Sequence, residues 1–348
     1  MSVDLRLGKL RGLRRMATPE GHFTMVALDQ RPPIANLIAA KRGIPAGEVA
    51  FKDVVDVKRV IAKAVGGRAS AVLFDPNYAF PAALATLPAH TGLVVTLEDH
   101  RFEDTPGGRL SHSIRDWSVE KIKGAGADGV KVLVWYRPDA GAAVLAHQKR
   151  YVEEIGEACR QRDIAFVLEL LVYSFPKSAA HTADYVESSE KMPALVLESV
   201  REFAHPRYGV DLFKLESPLP GASLPARDGS DAQRQAEHRF DEMGAICGQA
   251  GIPWVMLSAA VTPRQFVRVM EYAYAAGANG FLAGRAIWLQ AMQHFPDLQR
   301  CAEQLGQDAP AILDELGALT RRAGRAWHAD YGALESVAFE GELCAAYA

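Results

Sequence analysis

Two lysines and one glutamate occupy places in this chain where charge is costly. Asp211-Leu-Phe-Lys-Leu-Glu-Ser-Pro218 is a short apolar strand pattern with Lys214 in its middle. Pro218 ends it, because proline cannot donate to a strand ladder. Asp128-Gly-Val-Lys-Val-Leu-Val134 repeats the oddity with Lys131, and Phe166-Val-Leu-Glu-Leu-Leu171 does so with Glu169. Burying a lysine costs several kcal/mol unless it is paired or sheds its proton. A single such lysine is commonly a structural ion pair, here with Glu216 or a carboxylate on another strand. Three ionisable side chains in three apolar strands point instead to one shared polar centre.

Two lysines and a carboxylate suit Schiff-base chemistry. A lysine must be neutral to attack a carbonyl, and burial and a nearby second cation both lower its pKa. Lys131 supplies that field while Lys214 attacks, or the reverse. The iminium formed is an electron sink, so a carbon–carbon bond beta to it can break and leave an enamine. Protons must move at the hydroxyl, the carbinolamine and the enamine carbon. Glu169 is the residue placed to move them, starting as a base between two cations.

The elements that must carry these groups follow from hydrophobic periodicity. Residues 24–28, 71–74, 93–97, 129–134, 165–171, 211–215, 254–257 and 280–283 read as apolar strands. Helical patterns lie between them, the clearest at 4–16, 117–125, 140–161 and 231–249. The count and order predict an α/β fold, a single (β/α)8 TIM barrel spanning 1–348. Its core is expected over 22–295, with an N-terminal helix and a C-terminal helical extension over 296–348. Continuous apolar runs suit parallel strands covered by helices. A doubly wound open sheet would favour a glycine-rich first turn, and the first turn here is Leu28-Asp-Gln-Arg-Pro-Pro33.

In such a barrel the chemistry lies at the C-terminal ends of the strands. The polar residues there are Asp29, Gln30, Asp75, Glu98, Lys131, Glu169, Lys214, Ser258 and Arg285. Ser258 closes the seventh strand and Gly284-Arg285 the eighth, where barrels often hold phosphate on backbone N–H groups and a helix N-terminus. Arg285 offers two donors to a phosphate, and Gly284 lets the backbone approach closely; the alternative for Arg285 is a salt bridge to the last helix. Asp29 either orients substrate hydroxyls or pairs with a lysine. Trp135 and Tyr136 read as wall residues and Cys247 as core. His100 is the histidine that directly follows a strand, and a lone histidine is more often structural than a ligand. Metal-dependent aldolases need several histidines on one ion, so neither a metal nor another cofactor is expected.

The composition sets outer bounds. The 348 residues are 49% apolar, with a formal net charge of -3. That balance gives no reason to expect nucleic acid or a membrane surface as partner. The N-terminus lacks the apolar run of a signal peptide, no charge-free stretch is long enough to span a bilayer, and the four scattered cysteines form no CxxC. A cytoplasmic setting is expected. A homodimer is the expected assembly, since closed two-fold dimers are the commonest.

Taken together, the motifs resemble the tagatose 1,6-bisphosphate aldolase family of class I aldolases. The matching stretches are Ala27-Leu-Asp-Gln-Arg31, Arg109-Leu110 with Trp117-Ser118, Gly126-Ala-Asp-Gly-Val-Lys-Val132, Leu168-Glu-Leu170 with Tyr173-Ser174, Asp211-Leu-Phe-Lys-Leu-Glu216, Leu257-Ser-Ala259, and Gly284-Arg-Ala286 with Trp288. They run in family order across about residues 10–295. The resemblance implies Lys214 as the Schiff-base lysine, Glu169 as the proton shuttle, and Asp29, Gln30, Lys131, Ser258 and Arg285 as substrate contacts. It implies a phosphorylated ketose substrate. The leading case is tagatose 1,6-bisphosphate, cleaved to glycerone phosphate and glyceraldehyde 3-phosphate. Alternatives are the same mechanism on a sulfonated or 6-deoxy ketose 1-phosphate, and a non-catalytic sugar-phosphate-binding regulator. The chain departs from the pattern at Ala260, where the family has glycine. Its loops 174–192 and 219–235 do not align and are expected to cover the site.

Overall fold

Eight short parallel strands close on themselves. They are β1 (Phe23–Leu28), β2 (Ala71–Phe74), β3 (Gly92–Thr96), β4 (Gly129–Trp135), β5 (Ala165–Leu171), β6 (Leu212–Leu215), β7 (Trp254–Met256) and β8 (Gly280–Ala283). Each pairs with its neighbour in chain order, and β8 returns to β1. The computed structural model describes residues 6–175, 178 and 193–329. Most of the expected loop 174–192, and the expected extension beyond residue 329, lie outside the described residues.

The closed barrel excludes the open doubly wound sheet. Strand boundaries follow the apolar runs to within a residue. Asp211, expected inside the sixth strand, precedes it: its carboxylate accepts from the Phe166 N–H at 2.8 Å and pairs with Lys9 at 2.7 Å. Its own N–H donates to the Phe166 carbonyl at 3.0 Å, so it brackets the start of β6 with both backbone and side chain.

Among the described residues the helices are α1 (Leu7–Met16), α2 (Pro32–Arg42), α3 (Phe51–Val65), α4 (Ala79–Ala83), α5 (Val119–Gly124), α6 (Ala142–Gln161), α7 (Pro193–Phe203), α8 (Asp231–Ala250), α9 (Pro263–Ala275), α10 (Arg285–Trp288) and α11 (Leu298–Ala323). Local signals explain several starts. Prolines open α2 and α9, where the missing N–H and fixed φ suit the first turn. Ser118, Ser230 and Thr262 cap α5, α8 and α9 through their side-chain oxygens. The sequence put α11 in an extension beyond the barrel, but it packs against α3 and α9 and so belongs to the outer ring beside β1.

Side chains alternate between the barrel interior and the helix-covered outside. The outward set, including Val26, Phe74, Val132, Leu168 and Phe213, joins the large core under the helices. The inward set is layered. At the bottom, Met25, Leu73, Val94, Val167, Leu212 and Leu282 form an apolar floor, sealed from below by Leu13 and Met16 of α1 and by Trp327. At the mouth, Trp135, Leu171, Tyr173 and Leu257 form an apolar rim. The charged side chains lie between these two layers.

Closure constrains one backbone position tightly. Gly280 faces Phe23 across the β1–β8 seam, at φ +150°. A Cβ there would lie 1.9 Å from the Phe23 carbonyl oxygen. Gly280→Ala is therefore expected to cost about 1–3 kcal/mol of stability by overpacking the seam, read by urea denaturation. Unchanged stability would contradict this account of closure.

Candidate active site

Strand parity carries the charged groups inward. Lys131 follows Gly129 on the inner face of β4, Glu169 follows Val167 on β5, and Lys214 follows Leu212 on β6. Register places Glu169 directly beside Lys214. The burial cost is met by pairing. Lys131 Nζ lies 2.8 Å from Asp29 Oδ2, 2.7 Å from Glu98 Oε1 and 2.8 Å from Glu169 Oε2. Lys214 Nζ donates to the same Glu169 Oε2 at 2.8 Å. One carboxylate oxygen thus bridges both lysines. All five side chains are buried.

The electrostatics of the cluster are lopsided. Burial alone would drive the Lys131 ammonium down, but Asp29, Glu169 and Glu98 outweigh it and hold its pKa above the ordinary lysine range. Burial would likewise raise Asp29, but Lys131 and then Lys214 hold it below the ordinary carboxylate range. Lys131 is therefore fixed as a cation. Among the described residues Lys214 pairs with Glu169 alone.

These groups open onto a cavity of about 130 Å³ lined by Asp29, Lys131, Glu169, Lys214, Ser258 and Arg285, and also by Gln30 and Gly284. Glu98 lines it too, so of the strand-end residues picked out from the sequence Asp75 alone stays out of the cavity. Three neighbouring side chains at the end of β1 present buried polar atoms without a partner among the described residues: Asp29 Oδ1, Gln30 Oε1 and Arg31 Nε. An unpaired buried polar atom is costly, and beside a cavity it is ready to bind a polar ligand. Asp29 has one oxygen on Lys131, as one of its two expected roles has it, and the other oxygen is unpaired among the described residues. Ser258 Oγ accepts from the Gly284 N–H at 3.3 Å and ties the ends of β7 and β8 together. Gly284 leaves room for Gln30: a Cβ there would meet Gln30 Nε2 at 2.6 Å and displace that side chain.

The loop after β7 is strained. Ala259 and Ala260 both have positive φ, at 44° and 63°. For an L-residue with a Cβ this conformation costs about 1–2 kcal/mol. The methyl of Ala260 is thus accommodated at an energetic cost in the loop that follows Ser258.

Three expectations are corrected. Asp75 does not join the cavity: its carboxylate turns to Lys58 of α3 and caps the backbone N–H groups of Asn77 and Tyr78. Tyr136 turns outward onto Phe203, so of the two expected wall residues only Trp135 lines the cavity. The loop beginning at residue 219 lies on α9, where the Pro225 carbonyl accepts from Arg268 and Tyr272, and none of its residues lines the cavity. His100 does line it, with burial and then Arg31 pushing its pKa down to about 4.

Residues 23–290, which include all eight strands, match the family model described as DeoC/LacD family aldolase. The chain belongs to this family. Curated relatives have the same extent. A tagatose 1,6-diphosphate aldolase of Listeria monocytogenes serotype 4a (strain HCC23) is 31% identical over 344 residues, covering 96% of this chain and 98% of its own. A tagatose 1,6-diphosphate aldolase 2 of Enterococcus faecalis (strain ATCC 700802 / V583) is 30% identical, covering 94% and 98%. Solved structures share the fold. A Plasmodium falciparum fructose-bisphosphate aldolase aligns at TM-score 0.64 with 10% identity, over 93% of this chain and 96% of its own. An archaeal fructose 1,6-bisphosphate aldolase aligns at 0.56 with 16% identity, over 88% and 99%.

As a member of that family the protein is a carbon–carbon lyase. Among the described residues of this aldolase, no group of three or more His, Cys, Asp or Glu side chains is placed to hold a metal ion, and no helix is long and apolar enough to cross a membrane. Sequence reasoning left two residues of its site unassigned. Glu98 was visible as a strand-end acid, and its parity with Thr96, whose hydroxyl it accepts from, was the available signal. Arg31 lies in the quoted motif but was given no role. Both its terminal nitrogens donate to the Glu98 carbonyl oxygen at 3.2 Å.

The Lys131 cluster predicts a pH signature. Asp29 is held below its unfolded pKa, so its pairing adds stability at neutral pH that is lost on acidification below about pH 4. Lys131→Met removes the cation that three buried carboxylates share, leaving Glu169 to Lys214 and Glu98 to the more distant Arg31. It is expected to cost about 3–5 kcal/mol near neutral pH, and the gap should narrow as acid protonates the stranded groups. Urea titrations across that range test this, and a gap independent of pH would contradict it.

Proposed function

We propose that this protein is a class I aldolase that cleaves a ketose 1,6-bisphosphate through an imine on Lys214. Tagatose 1,6-bisphosphate is the leading substrate, in keeping with the names of the curated relatives. The observation that carries the reading is the unequal partnering of the two lysines. Lys131 meets three carboxylates, whereas Lys214 shares one. A locked ammonium cannot attack a carbonyl, so the nucleophile is the lysine with the lighter hold. That supports the assignment of Lys214 over the reverse.

The steps follow from the geometry. Lys214 in its amine form adds to the ketose C2 carbonyl, and the carbinolamine loses water to give an iminium. Glu169, hydrogen-bonded to Lys214, takes the proton of the C4 hydroxyl as the C3–C4 bond breaks. Its electrons pass into the iminium, leaving an enamine and releasing glyceraldehyde 3-phosphate. Glu169 returns the proton to C3, and hydrolysis of the imine frees Lys214 and glycerone phosphate. Lys131 holds Glu169 and Asp29 in place. Asp29 Oδ1 and Gln30 Oε1 accept from substrate hydroxyls, which matches their unpaired state. Ser258, Gly284 and Arg285 hold a phosphate at the ends of β7 and β8, where Arg285 adds two donors.

Lys214→Ala should abolish cleavage of ketose 1,6-bisphosphates, read by a coupled dehydrogenase assay, while the thermal unfolding midpoint stays that of a folded protein. Normal turnover in that variant sinks the assignment. A panel of ketose phosphates, including sulfonated and 6-deoxy ketose 1-phosphates, should show the bisphosphates as preferred substrates.

A further inference from the structure

Outside the cavity, α3 carries a cation that the reaction steps do not use. Lys58 is fully buried and does not line the site. Its helix is clamped by Val54, Val57, Ile61 and Val65. The Lys58 ammonium pairs with Asp75, which directly follows β2, and donates to the Leu28 carbonyl oxygen at 2.8 Å. Leu28 is the last residue of β1 and lies in register with Phe74, the last of β2. One side chain therefore ties together the ends of two adjacent strands.

Asp75 is itself immobilised. Its Oδ1 accepts from the N–H groups of Asn77 at 3.0 Å and Tyr78 at 2.7 Å, and its Oδ2 from that of Ala79 at 3.3 Å. The preceding β1 carbonyl, that of Ala27, accepts from Trp288 Nε1 at 3.2 Å. The last two carbonyls of β1 are thus both held by side chains from outside the sheet. The next three residues are Asp29, Gln30 and Arg31, each with an unpaired buried atom at the cavity. A buried ion pair is a weak stabiliser, because desolvation offsets most of the attraction. Stability alone is a poor reason to keep a lysine here.

We propose that Lys58 is a positioning residue: its ammonium fixes the end of β1 and so sets the substrate-facing edge formed by Asp29, Gln30 and Arg31. The role of that edge rests on the substrate reading given above. Lys58 also lies within electrostatic reach of Asp29 and Arg31. Its effect is therefore on where these groups stand, not on the bond-breaking step at Lys214.

The test is a double-mutant cycle on the full chain. The Lys58→Met/Asp75→Asn variant removes both charges and keeps an acceptor for the turn at 77–79. It is expected to lower kcat/KM for a ketose 1,6-bisphosphate by about tenfold to a hundredfold, the range for small misplacements remote from the chemistry. Asp29→Asn should then cost at least about fivefold less in that background than in the wild type, because the two changes act through one edge. A purely structural role predicts lower stability with additive effects on kcat/KM. Additivity, or an unchanged kcat/KM, overturns the proposal. Lys58→Arg carries the same cycle if the charge-free variant does not fold. The same cycle read on unfolding free energy needs no substrate. If the wild type turns over no ketose bisphosphate, the substrate reading fails, and the unfolding cycle still decides for or against Lys58 through its coupling to Asp29.

Discussion

A buried ammonium held by three carboxylates governs how this barrel is built above its floor. Lys131 could not remain charged in the barrel interior without Asp29, Glu98 and Glu169, and it is the one cation that all three of those acids share. The acids come from the ends of β1, β3 and β5, so the cluster exists only if the sheet closes and brings those ends together. The apolar floor sealed by α1 keeps water from entering below, and the rim of Trp135, Leu171 and Leu257 limits it above. Low local polarity strengthens each interaction inside and raises the penalty for any group left out.

That cluster divides the labour between two similar lysines. Lys131 has its charge enforced, and Lys214 shares one oxygen of Glu169. Glu169 is thus oriented from one side by a fixed cation and reaches the Lys214 amine on the other. The strain sits elsewhere, in Ala259 and Ala260 after β7, next to the Ser258–Gly284 hydrogen bond. Strained backbone at the lip of a cavity is a common companion of function. Here it lies two strands round the barrel from the unpaired atoms of Asp29, Gln30 and Arg31, with β8 between.

Much of this was legible in the chain itself, for physical reasons. Strands such as Ala71–Phe74 and Gly280–Ala283 are unbroken apolar runs, so their ends were plain, and period-two alternation then put Lys131, Glu169 and Lys214 on one side. Other features depend on tertiary contacts that spacing does not encode. Asp75 has the same strand-end position as Asp29, yet Lys58 reaches it from α3 and draws it away. Helical periodicity puts Lys58 on the apolar stripe of α3 with Val54, Ile61 and Val65, apart from the exposed Lys52 and Lys63, but it does not say which carboxylate would meet it there. The pairing of Arg31 with the Glu98 carbonyl joins residues 67 apart in sequence and was equally hidden. Loop 219–235 read as a cover because loops after strands face the site, but Arg268 and Tyr272 hold it to α9 instead.

The central claim is that Lys214, not Lys131, carries the covalent intermediate. It is tested most directly by incubating the protein with glycerone phosphate, reducing with borohydride and mapping the adduct by mass spectrometry. The account predicts a single reduced adduct on Lys214, with Lys131 unmodified because its ammonium is locked among carboxylates. An adduct on Lys131 would reverse the two roles, and no adduct on either lysine would remove the Schiff-base mechanism itself.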